Sequence, residues 1–172
     1  MNVKLLILFI LPIDQLKFII FIYLKKLKFI TIIILSLFYI NVGIAHFTNP
    51  ELFNVIMPPY IPYHNLFVYL SGFFEVLFGL MIIFKKTRYF GGIGLLFLLI
   101  AVFPANIYLY QSAEAQEILN ISKSGAFIRL FFQAPLIILA YWHAKEETSY
   151  KFDIISFIIF FPTIIYFLTL SS

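Results

Sequence analysis

The chain has 172 residues, of which 63% are hydrophobic and only 12% charged, with a mean hydropathy of +1.02. Soluble chains sit at about half apolar and about a quarter charged, and a fold of this size could not hide so much apolar surface from water, so the composition excludes a soluble globular protein. Cysteine is absent, which removes disulfides, thiolate metal sites and dithiol chemistry carried by this chain; the net charge of +4 is modest and in a membrane chain marks loops, not nucleic-acid binding.

The N-terminal stretch comes first in chain order. Leu5–Leu11 is apolar, Pro12, Asp14, Gln15 and Lys17 interrupt it, and Phe18–Leu24 is apolar again. Asp14, Lys17, Lys25 and Lys28 fall on one side of a helix, so residues 1–28 read as an amphipathic extension lying in the interface. An additional span and a removable signal are the alternatives; no small-residue cleavage site follows the apolar run.

A membrane-crossing helix needs about 20 mostly apolar residues. Four segments meet that need: Phe29–Phe47, Asn65–Phe84, Tyr89–Tyr110 and Ala126–His143. A fifth, Asp153–Leu170, is apolar enough although Pro162 lies inside it. Ile and Phe favour strands in water, but a lipid-exposed backbone must satisfy its own hydrogen bonds, so runs of this length are helices. The expected fold is therefore all-α: a four-helix transmembrane bundle over residues 29–145, an N-terminal extension over 1–28 and a fifth helix over 146–172. The positive-inside rule puts Lys25–Lys28, Lys85–Arg88 and Lys145–Lys151 in the cytoplasm and the two long connections outside.

Ionisable residues within spans are costly and point to function. Glu75 sits near the middle of the second span, with Gly72 and Gly79 on the same side, where small residues let another helix approach. Arg129, inside the outer end of the fourth span, is its expected partner, with Gln133 one turn deeper. Asn106 in the third span and His46 at the end of the first fall at the same depth, counting 1.5 Å per residue from the span ends. Four helices thus offer polar groups to one layer between the midplane and the outer interface. The same residues could instead lock helices together, with Glu75 and Arg129 as a static pair and Asn106 and Gln133 as interhelical glue. His64 and His143 lie near span ends and carry a weaker signal.

Pro104 and Pro135 each remove a backbone donor inside a span and are expected to kink the outer half open. Gly91, Gly92 and Gly94 are expected to give close packing beside the cytoplasmic turn. The connection Asn49–Pro62 is proline-rich and aromatic; Met57, Pro58 and Pro59 should stiffen it into a cap lying over the bundle. No metal-ligand spacing, Walker loop or dinucleotide fingerprint is present, and His46, His64 and Glu75 match no ligand pattern.

Gly43-x-x-His46-Phe47, Met57-Pro58-Pro59, Ser71-Gly72 followed by Glu75 and Gly79, and Phe103-Pro104-Ala105-Asn106 together resemble the DoxX-like family of small membrane proteins. The resemblance covers Phe29–Lys145 and implies a four-helix transmembrane bundle, a bacterial inner membrane, and an association with quinone-linked or thiol redox systems. Founding members of that family are described as subunits of a thiosulfate:quinone oxidoreductase. The chain departs from it by its N-terminal extension and its fifth span, and its lack of cysteine tells against thiol redox chemistry.

Three functions remain open on this reading. The first is a membrane subunit whose polar layer binds a quinone or similar lipid-soluble molecule beside a redox partner protein, with Glu75 handling a proton; no catalytic residue is assigned and catalysis by this chain alone is not expected. The second is a structural or assembly protein, and the third a small solute or proton transporter, against which stands the lack of an internal repeat. Membrane lipid is the expected partner, homo-oligomerisation is open, and nucleic acid is not expected.

Overall fold

The computed structural model describes residues 12–170. The run Leu5–Leu11, and the side chains of Asp14 and Lys17 in the expected amphipathic face, lie outside the described residues. The chain forms helices α1 (Ile13–Thr48), α2 (Pro50–Asn54), α3 (His64–Ile83), α4 (Arg88–Ala101), α5 (Phe103–Gln111), α6 (Ala113–Ile118), α7 (Lys123–Ala144) and α8 (Tyr150–Leu170). It is an all-α membrane bundle. Among the described residues, five stretches are long and apolar enough to cross a bilayer: Ile22–Thr48, His64–Ile83, Arg88–Gln111, Lys123–Ala144 and Tyr150–Thr169.

The spans match the apolar runs except at the first, which begins well before Phe29. Once past Pro12, α1 meets no glycine or proline until Gly43, and its lysines do not interrupt it. The helix therefore runs unbroken through Lys25, Lys26 and Lys28 into the bundle. The third span breaks where the proline predicts. Pro104 falls in the first turn of α5, where its missing N–H costs nothing, while its ring excludes a straight continuation from Ile100. Val102 is the joint between α4 and α5. By contrast, α7 continues as one helix through Pro135.

Neighbours in sequence are neighbours in space. Helix α1 packs on α3, α3 on α4, α4 and α5 on α7, and α7 on α8, which in turn touches α1 and closes the ring. Small residues set the closest approaches. A Cβ on Gly43 would lie 2.7 Å from the Gly72 carbonyl oxygen, and one on Gly72 would lie 2.5 Å from the His46 Cβ. Gly79 faces Ser36 and Tyr39, Gly91 faces Met81 and Ile82, Gly92 abuts Ala144, and the Phe78 ring fills the space beside Gly94. Larger residues at these points would force the helices apart.

The three basic stretches gather at one end. Lys25 lies 3.5 Å from Glu147, Lys85 pairs with Glu146, and the Lys28 ammonium donates to the Lys145 carbonyl at 3.0 Å. The Lys85 ammonium holds the exposed Glu146 carboxyl below its ordinary range. Asp153, at the start of α8, accepts from Trp142 Nε1 at 2.7 Å and from the Thr148 hydroxyl, with Lys28 at 3.9 Å. Arg88 donates to the Ile82 and Ile83 carbonyls, satisfying the end of α3. Above this end lies a dry layer in which Ile82, Leu95 and Leu139 are fully enclosed, with Ile32, Leu99 and Leu136 packed around them.

Candidate functional site

At the end away from the three basic stretches, the Val102 joint and the α1–α3 crossing leave a space. Gly43 and Gly72 bring α1 and α3 together, which places His46 and Glu75 side by side. Glu75 is 9% exposed and points into the bundle. Its Oε2 lies 3.3 Å from His46 Nδ1. The Val42 carbonyl is 2.9 Å from the same nitrogen. A carbonyl only accepts, so Nδ1 carries the proton and donates to Val42. Glu75 Oε2 is left buried with no hydrogen bond. The His46 ring is held from its other side by Phe53, stacked at a centroid distance of 3.5 Å.

The opposite wall is a chain of amides and a guanidinium. Arg129 Nε donates to Asn106 Oδ1 at 3.0 Å. Asn106 Nδ2 donates to Gln133 Oε1 at 2.7 Å, and Gln133 Nε2 donates to the Leu99 carbonyl at 2.6 Å. Leu99 lies in the last turn of α4, whose closing carbonyls have no further turn of that helix to bond them. The end of α4 thus supplies the acceptor that anchors the chain. Gln133 is 2% exposed and sits behind the wall; Arg129 and Asn106 face the space. Among the described residues, the terminal nitrogens of Arg129 make no hydrogen bond.

The space is a partly open cavity of about 100 Å³ lined by His46, Glu75, Asn106 and Arg129 together with Ser71 and an apolar rim. The rim includes Phe53, Ile56 and Met57 from the Asn49–Pro62 connection, which closes over it as a cap. The cap is pinned by His64 Nε2 on the Pro58 carbonyl at 3.2 Å and by Asn54 Nδ2 on Asn65 Oδ1 at 2.6 Å. Pro58 is buried beneath it and Pro59 is exposed.

Four of the five residues singled out from the sequence line this cavity, and Gln133 is tied to it through Asn106. Their pairing differs from the expected one. Among the described residues no ion pair joins Glu75 to Arg129; Glu75 has His46 beside it and Arg129 is held by Asn106. The two charges share one cavity wall without forming a contact pair. Sequence reasoning passed over Ser71, Phe53 and Ile56 as site residues, because hydroxyl and apolar side chains carry no signal in an apolar run. It also undervalued His143, which is fully buried. His143 Nε2 lies 3.0 Å from Thr31 Oγ1, whose own proton goes to the Lys28 carbonyl, so Nε2 is the donor. Among the described residues no group of three or more His, Cys, Asp or Glu side chains could hold a metal ion.

No curated protein and no solved structure matches the chain. A family model does: it covers residues 35–144, a stretch that holds every residue of the cavity wall, and the chain belongs to the family described as Domain of unknown function (DUF8561).

Proposed function

We propose that this protein is a small membrane subunit whose cavity binds the polar head of a lipid-soluble carbonyl compound of the quinone class, in support of a redox partner protein. The observation that carries the reading is the cavity wall itself: Glu75 has a buried carboxyl oxygen without a donor, and Arg129 lines the same partly open space with its terminal nitrogens unbonded. Unmet buried polar groups are costly, about 1–3 kcal/mol each, so a wall of this kind is built for something that meets them. A quinone carbonyl accepts from Arg129. On reduction the quinone takes two electrons from the partner and two protons, one of them at the oxygen beside Glu75 and His46; oxidation of the quinol returns both electrons to the partner and releases both protons.

Size limits what enters. Pockets that enclose a drug-sized ligand measure about 300–1,000 Å³, so a cavity of about 100 Å³ takes a head group and leaves any tail among the acyl chains. The dry layer of Ile82, Leu95 and Leu139 below the cavity favours a site reached from one side over a path through the bundle. On the positive-inside reading that side is the outer one. The resemblance of the Gly43–Phe47, Ser71–Gly79 and Phe103–Asn106 segments to the DoxX-like family supports the same ligand class.

Titration of the reconstituted protein with a short-chain quinone tests this. The wild type should bind, and Arg129→Gln should bind about tenfold or more weakly, the scale of a lost charge-assisted hydrogen bond. Glu75→Gln should uncouple binding from pH. Failure of well-folded wild-type protein to bind any quinone, together with none in its extracted lipids, would leave the static-scaffold reading in its place.

A further inference from the structure

Helix α1 has two faces. Ile32, Leu35, Tyr39, Gly43 and His46 are buried against the chain's own bundle. On the other side Ile30, Ile34, Leu37, Asn41, Ile44 and Thr48 are all exposed, and α8 does not cover them. These six positions alternate by four and three residues. That is the a/d spacing of a helix that packs against a second helix in a left-handed crossing.

Asn41 occupies an a position in the middle of this stripe. It precedes the end of the span at Thr48 by two turns, which puts it about 10 Å inside. Among the described residues its amide makes no hydrogen bond. An exposed amide at that depth faces hydrocarbon, which offers neither donor nor acceptor. The partner that satisfies it must bring both to the same depth on an apolar helix.

A second copy of this chain does so. Two copies inserted in one direction can be related by a two-fold axis along the membrane normal, and such an axis brings each residue of a central stripe opposite itself. Asn is self-complementary, since its amide donates and accepts. Ile34, Leu37 and Ile44 then pack above and below it, and a single polar a position fixes the register. We propose that the chain forms a parallel dimer through this face of α1, with the two Asn41 amides hydrogen-bonded across the axis. The cavity lies on the opposite side of α1, so each copy keeps its own site, facing away from the interface.

The lack of cysteine makes the test direct, because any introduced thiol is unique in the chain. In liposomes holding the full chain, Leu37→Cys and Ile44→Cys should form disulfide dimers on mild oxidation. Phe97→Cys, on the exposed face of α4, should not. Förster transfer at increasing dilution into lipid then gives the dimer affinity. Asn41→Leu keeps the apolar surface and should weaken it about three- to thirtyfold, the range for interhelical polar contacts in membranes. Monomers at every dilution would overturn the proposal. So would cross-linking at Leu37 and Ile44 no faster than at Phe97, an unchanged affinity in Asn41→Leu, or capture in native membranes of a different protein while the purified chain stays monomeric.

Discussion

Glu75 and Arg129 are held by different neighbours for a geometric reason. Glu75 shares a helix face with Gly72, and Gly72 is where α1 comes closest, so the carboxyl meets His46. Arg129 meets Asn106 because the chain bends at Val102 just before it. That polar groups converge is legible in the sequence, since any Glu, Arg, Asn or Gln within an apolar run stands out. Which pairs form is not, because a rotation of one residue's arc turns a side chain to a new partner. The close crossing makes a specific prediction. Gly72→Ala would push its methyl against the His46 Cβ and the Gly43 carbonyl, and should destabilise the protein by about 1–3 kcal/mol, read as loss of thermal stability in detergent. Gly125→Ala meets only the Ile121 and Ser122 side chains and should cost far less.

At the scale of elements, the helices were readable because lipid leaves the backbone no choice; their ends were less so. The first span starts early because Lys28 is not in hydrocarbon alone: Asp153, Thr148 and the Lys145 carbonyl receive it, and the Trp142 ring lies 5.2 Å away. Those partners are more than a hundred residues away in sequence, so no local pattern announces them. The same cluster docks α8. Asp153 joins the end of α7 through the Trp142 indole, the only tryptophan in the chain. Asp153→Ala should free that N–H and admit water, moving tryptophan emission to longer wavelength and exposing α8 to protease. Asp153→Asn keeps an acceptor and should fall between the two. Emission unchanged in Asp153→Ala would mean that α8 is held by its apolar contacts alone.

For the whole molecule, the arrangement is asymmetric along the bundle: a basic, ion-paired end, a dry middle, and a capped cavity at the far end. The cavity owes its existence to three sequence features acting together, the α1–α3 glycine crossing, the break at Pro104 and the apolar cap. All three leave a mark in the sequence, the cap through its prolines; that Phe53 and Ile56 turn inward depends on how the cap folds back. The proposed site requires that cavity to be reached from one side only. Single thiols placed by Ser71→Cys in its wall and by Leu139→Cys in the dry layer measure this, using a small water-soluble thiol reagent applied to either side of sealed vesicles. Ser71→Cys should react from one side only and more slowly once a short-chain quinone is added, while Leu139→Cys stays unreactive. A Ser71→Cys protein that is as inert as Leu139→Cys, or reacts equally from both sides, would contradict the account.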